Sequence, residues 1–320
     1  MAAAPSESRA RVLIIFPGAL GDLICLIPAM RAIATRHPQA AIELMARLEL
    51  ARFVAERIGL ARAHSIDRAE VAELFVAGGR SSEGAAKFFG GFARIYAFFA
   101  ADDARFRHAL SAIAQAVSFH RFRPAGDDHV ASGYLRAIEA SGAQLEAALA
   151  ATTDDRMAAA AHLERLGLQA NKFILIFPGS GSQRKNWPVE KFAELAERRV
   201  GAMSGLVVLG PAEVELAGSF PDRRIATLTG LALGEVAGLA ESARAFAGND
   251  SGVAHLAAAA GAPGVVLFGP TDPRRWRPLG AVRVIHREPM RNIAVAEVAA
   301  SLAEIIAIPR RGTAVRPLKS

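Results

Sequence analysis

The chain has one cysteine, Cys25, so an internal disulfide and a multi-cysteine zinc site are both excluded. This is compatible with a reducing compartment. Cys25 sits among Leu23, Ile24, Leu26 and Ile27, which marks it as a buried structural thiol. Aromatics make up only 7% of the residues although 52% are apolar. Alanine supplies much of that apolar fraction, a composition that favours helices packed closely on sheets over an all-β sandwich. Long hydrophobic runs are missing. Leu23 to Met30 is interrupted by Pro28 and is too short to span a bilayer, and Met1 to Arg11 lacks the apolar segment of a signal peptide. A soluble, cytoplasmic protein is expected.

Metal-binding patterns are absent as well. There is no Asp-x-Asp and no His-x-x-x-His, and the adjacent pairs Asp102-Asp103, Asp127-Asp128 and Asp154-Asp155 point their carboxylates apart. No metal and no resident cofactor are expected. A serine-nucleophile elbow is excluded because Gly179-Ser180-Gly181-Ser182 spaces its glycines wrongly. No helix-turn-helix, zinc finger or aromatic stacking motif supports a nucleic-acid partner. What charge there is runs positive, +7 overall, with arginines in the first half and a basic tail of Arg310, Arg311, Arg316 and Lys319. Nucleotide phosphates or an anionic membrane surface suit that excess.

What is present is an α/β grammar. At 320 residues the length suits two domains. Arg11 to Phe16 is a short apolar run ending in Pro17-Gly18, and Phe173 to Phe177 is another ending in Pro178-Gly179. Each reads as a buried parallel strand entering a turn before a helix. Further strands are expected at Ile42–Met45, Leu206–Leu209, Arg244–Ala247 and Gly264–Phe268. Helices are expected after Pro188, from Glu213 to Ala217, at Val253–Ala260, and over His129–Gly142 with Gly142 as its stop. The stretch from Ala85 to Ala100 lacks clear punctuation. Thr152, Thr153, Asp154 and Asp155 form a helix cap after a crossing, so the domains are placed at 1–155 and 156–320. Strand–helix alternation predicts doubly wound parallel sheets.

Three turns carry candidate chemistry. In Pro17-Gly18-Ala19-Leu20-Gly21-Asp22, Gly18 and Gly21 permit close approach to a helix start, and Asp22 reads as a helix cap or a catalytic carboxylate. In Gly179 to Pro188, the glycines, Ser180, Ser182 and Lys185 are the amide, hydroxyl and ammonium groups that a diphosphate needs. The Walker spacing is absent, which favours phosphate binding without ATPase machinery. In Gly248 to His255, Asp250, Ser251 and Gly252 open an alanine-rich helix whose N-terminus is an anion site, with His255 one turn on.

Taken together, these segments resemble glycosyltransferase family 9, the bacterial ADP-heptose:lipopolysaccharide heptosyltransferases. Ile14 to Asp22 followed by Pro28-Ala29-Met30-Arg31, Pro178-Gly179-Ser180 with Lys185-Asn186-Trp187-Pro188, Gly248 to Ala257, and Leu267 to Pro273 carry the resemblance in order. It implies a GT-B architecture, two Rossmann-like domains facing across a cleft, with acceptor held by the first and donor by the second. It also implies a metal-independent, inverting transfer with Asp22 as general base. Ser180, Ser182 and Lys185 then correspond to donor diphosphate and ribose contacts. Glu213 corresponds to a ribose-binding carboxylate, and Asp250, Ser251, Gly252 and His255 seat the phosphate and sugar. The implied partners are an ADP-linked sugar, a lipopolysaccharide-core saccharide and the anionic inner membrane surface. A sugar-nucleotide epimerase of similar fold and a non-catalytic nucleotide-binding partner protein are the alternatives.

Overall fold

The computed structural model describes residues 9–76, 83–220 and 225–309, so the basic tail lies outside the described residues. Apolar runs become the inner strands of two all-parallel sheets. The first sheet contains β1 (Arg11–Ile15), β2 (Ala41–Ala46), β3 (Arg62–Ser65), β4 (Arg94–Ala97) and β5 (Val117–Phe119), in the order β3-β2-β1-β4-β5. Its helices are α1 (Leu20–Arg36), α2 (Leu48–Ile58), α3 (Ala69–Glu73), α4 (Glu83–Gly90), α5 (Ala104–Ile113) and α6 (Val130–Ala137).

The second sheet contains β6 (Phe173–Phe177), β7 (Ser204–Leu209), β8 (Ala226–Thr229), β9 (Ala245–Asn249), β10 (Gly264–Phe268) and β11 (Val282–His286), in the order β11-β10-β9-β6-β7-β8. Its helices are α7 (Thr153–Arg165), α8 (Val189–Glu197), α9 (Leu233–Ser242), α10 (Gly252–Ala259), α11 (Pro273–Trp276) and α12 (Val295–Ala307). In both sheets the strand order reverses beside the first strand, between β1 and β4 and between β6 and β9. Helices that leave on opposite faces open a crevice at such a point. The doubly wound α/β fold expected from the alternation is therefore present twice.

The apolar-run reading missed the inner strand β4 and the four edge strands β3, β5, β8 and β11. Facing solvent, the edge strands are short or only partly buried and carry no continuous apolar stretch. Two helix expectations also need correcting. Helix α6 stops at Ala137, five residues before Gly142, because Ala140 N–H donates to Leu135 O at 2.8 Å and Glu139 takes a left-handed φ of 57°. Pro211–Ser219 is a 3₁₀ helix without a buried residue, so Glu213 to Ala217 does not start an α-helix. The unpunctuated stretch from Ala85 resolves into α4 and β4.

A single buried cluster runs from β1 through α1, α2 and α6 to α7, α9, α10 and β6, so the two halves share a core. Small residues make that contact possible. A Cβ on Gly252 would lie 3.1 Å from Leu20 Cβ, and one on Gly21 would lie 3.2 Å from the His255 ring. The N-terminal ends of α1 and α10 therefore meet almost backbone to backbone. Arg57 of α2 pairs with Asp155 of α7, and Asp155 also closes a capping box with Thr152. No helix among the described residues is long and apolar enough to cross a membrane.

Candidate active site

A cleft of about 940 Å³ opens where the C-terminal strand ends of the two sheets face each other. The turn after β1 supplies Ala19 to Asp22 from one wall. The turns after β6, β7 and β9 supply Gly179 to Gly181, Lys185, Gly210, Pro211, Glu213, and Asp250 to Val253 from the other. Nearly all the residues singled out in the sequence therefore converge on one space.

Asp22 sits in the first turn of α1, whose N-cap is Ala19. Burial pushes its carboxyl up from the ordinary carboxylate value, and Asp250 adds to the rise. Arg123, the Ala19 backbone hydrogen bond and Lys185 act in the opposite direction. A carboxylate with a raised pKa beside two cations is suited to taking a proton near neutral pH. The capping and catalytic readings of Asp22 do not compete, because the bond to Ala19 leaves the carboxyl on the cleft wall.

Across the cleft, Lys185 Nζ donates to Asp250 Oδ2 at 2.7 Å, with the Asp250 side chain 7% exposed and that of Lys185 33%. The ammonium is thus held at the cleft wall by a carboxylate behind it. Gly181 has φ 69° and open space where a Cβ would stand. Ser180 lines the cleft, but its Oγ lies 2.5 Å from Asn186 Oδ1 and 2.9 Å from Ser182 O, stiffening the loop. Asn249 is fully buried; it donates to Pro178 O at 2.7 Å and accepts from Trp187 N–H at 3.0 Å. It clamps both ends of the glycine-rich loop to β9. Glu213 lies against the same loop: a Cβ on Gly179 would come 2.3 Å from its Cδ, and one on Gly210 would come 2.5 Å from its Oε2.

Ser251 caps α10 by accepting from Ala254 N–H at 3.3 Å, leaving the amides of Gly252 and Val253 at the cleft. His255 is 4% exposed and its Nδ1 lies 3.6 Å from Cys25 Sγ. Burial drives its pKa down to about 4, so the ring is neutral at physiological pH. Its place is the junction of α1 and α10, at the floor of the cleft. Two expected residues do not line the cleft. Ser182 is exposed, with its carbonyl turned to Ser180. Gly18 is buried beneath the Phe16 ring, where a Cβ would meet Phe16 Cε1 at 2.3 Å.

Several lining residues have no sequence signal. Arg47, Arg123 and Trp276 belong to loops or short helices outside any motif, and only folding brings them to the cleft. Asn249 could have been found, as an amide at the end of an apolar strand. Among the described residues no group of three or more His, Cys, Asp or Glu side chains could hold a metal ion.

The geometry has clear relatives. The model of glycosyltransferase family 9 (heptosyltransferase) matches residues 107–300. Lipooligosaccharide heptosyltransferase 2 of Haemophilus influenzae is 32% identical over 112 residues, which is 32% of this chain and 32% of that protein. The aligned part thus spans about a third of that relative's length. A family 9 glycosyl transferase from Veillonella parvula superposes with a TM-score of 0.77 at 17% identity, covering 93% of this chain and 97% of that one. For the E. coli ADP-heptose LPS heptosyltransferase II the TM-score is 0.70 at 20% identity, covering 92% and 98%. These likenesses establish the GT-B type of fold, two Rossmann-like units facing across a cleft. With a family match over more than half its length, the chain belongs to glycosyltransferase family 9, the heptosyltransferase family.

Proposed function

We propose that this protein is an inverting glycosyltransferase that moves a heptose from ADP-heptose to a saccharide acceptor of the lipopolysaccharide core, with Asp22 as general base. The observation that carries this reading is the placement of a half-buried carboxylate with a raised pKa opposite a lysine and a glycine-rich loop in one interdomain cleft. Donor and acceptor classes are those named for the E. coli and H. influenzae relatives.

In this mechanism Asp22 accepts the proton of an acceptor hydroxyl as its oxygen bonds to the anomeric carbon. The bond from that carbon to the diphosphate oxygen breaks on the opposite face, which inverts the centre. The leaving diphosphate takes the electron pair. Its charge is met by the Lys185 ammonium and the amides at the start of α10, groups held in place on the cleft wall. Transfer without a metal ion follows from that supply of positive charge. Asp250 keeps Lys185 extended, Glu213 accepts from the donor ribose hydroxyls, and Ser180 holds the loop in shape. Residues 156–320 form the donor unit and 1–155 the acceptor unit, with peripheral contact at an anionic inner-membrane face through basic side chains.

The test is mass spectrometry of products formed from ADP-heptose and truncated lipopolysaccharide acceptors, with and without EDTA. A heptose-mass gain of inverted anomeric configuration, insensitive to EDTA, is expected. No transfer from any ADP-sugar, together with no thermal stabilisation by ADP, would remove the proposal.

A further inference from the structure

Arg123 has no place in the motifs, yet it lines the same cleft as Asp22 and heads the charged groups that favour the ionised form of that carboxyl. Its guanidinium lies 5.4 Å from the Phe122 ring centroid and 5.5 Å from that of Trp276, within cation–π range of both. Phe122 belongs to the first half and Trp276 to α11 of the second. The segment around Arg123 is pinned from both sides. Tyr134 Oη donates to Phe122 O at 3.0 Å, and Phe122 packs edge-on against Phe16 at 5.3 Å. From the other half, Arg275 donates to Pro124 O at 2.9 Å. His129 bridges back: its Nδ1 accepts from Ala131 N–H at 3.2 Å, so its Nε2–H donates to Arg277 O at 2.8 Å. Two backbone carbonyls, one from each half, thus clasp residues 122–129 to 275–277 beside the cleft.

We infer that Arg123 is a positioning residue for Asp22: docking of Trp276 against its guanidinium holds a positive charge in the cleft that the carboxylate lines, so the base is complete only when the two halves are clasped. The inference rests on Asp22 being the base proposed above. Other groups face Asp22 too. Lys185 and Asp250 come from the second sheet's loops, while Cys25 on α1 and Tyr134 on α6 feel its charge. His255 of α10 is neutral at physiological pH and Lys185 is already engaged by Asp250, so of the two cations that act on Asp22 it is Arg123 that is not shared with a carboxylate among the described residues. Its removal leaves burial, which disfavours the charged carboxylate, less opposed. The acidic limb of the rate profile then moves to higher pH.

The experiment measures kcat/KM against pH for the full chain and for Arg123→Gln, Arg123→Lys and Trp276→Leu. In parallel, Asp22 is titrated by carbon NMR of labelled aspartate with no substrate present. Arg123→Gln is expected to shift both the acidic limb and the Asp22 titration upward by about one pH unit, about a tenfold loss of rate below the limb. Arg123→Lys should restore most of that shift. Trp276→Leu should give part of it with the arginine still present. A wild-type Asp22 titration and an unmoved limb in Arg123→Gln, with only KM raised, would overturn the inference while leaving the transferase reading intact. A moved titration in a protein without transfer activity would keep the coupling and sink the transferase reading instead.

Discussion

Replacing Gly18 by alanine tests whether the turn after β1 is built from packing or from ligand contact. The new Cβ would stand 2.3 Å from Phe16 Cε1 and 2.8 Å from Asp22 Cβ. Carbon atoms in contact need roughly 3.5 Å, so one of the neighbours must give by about 1 Å. Phe16 cannot do so freely: its ring is fully buried and sits edge-on to Phe98, Phe122 and Tyr134 at 6.2, 5.3 and 5.7 Å. Overpacking of this kind costs about 1–3 kcal/mol, and a cost near 2 kcal/mol lowers Tm by about 3 °C in a chain of this size. The strain also reaches Asp22 directly and Arg123 through Phe122, so kcat/KM should fall at least tenfold. Gly179→Ala is the control. Its Cβ would strike only the carboxyl end of Glu213, at 2.3 Å, and that flexible side chain can swing away. Tm should stay within about 1 °C while donor KM rises several-fold. Differential scanning fluorimetry with steady-state kinetics reads both. A Gly18→Ala protein with unchanged Tm, or a Gly179→Ala protein that unfolds early, would refute the packing argument.

Three further variants test the site. Asp22→Asn should abolish turnover and leave ADP affinity within a few-fold by calorimetry. Because the folded-state pKa of Asp22 is raised, the stabilisation from its protonated form is lost as pH rises through the folded value, and Asp22→Asn should have a higher Tm than wild type near pH 7 but not near pH 4. Lys185→Ala leaves the Asp250 carboxylate buried without its ammonium and should cost about 1.5–3 kcal/mol of stability, together with a tenfold or greater loss of ADP affinity. Asn249→Ala removes the acceptor of Trp187 N–H and the donor to Pro178 O, both buried; a loss of about 2–4 kcal/mol in urea unfolding is expected. Full stability in that variant would show that the glycine-rich loop is held by other means.

The amino-acid sequence by itself determined six of the seven inner strands, all but the four-residue β4 that starts on Arg94, together with the turns that follow them and the polar groups on those turns. Buried parallel strands must be apolar on both faces, so β1, β2, β6, β7, β9 and β10 announce themselves, and glycine, serine and lysine at their ends mark places where backbone is approached. Edge strands carry no such signature, which is why β3, β5, β8 and β11 emerge only in the sheets. Tertiary structure decided everything that depends on the meeting of the two halves. The contact of α1 with α10 turns His255 into a buried, neutral group on the cleft floor. The pairing of Lys185 with Asp250 joins two turns 65 residues apart. Arg123 and Trp276 reach the cleft from segments without any motif. Burial and long-range charge set the proton affinity of Asp22, and neither exists until the halves are packed together.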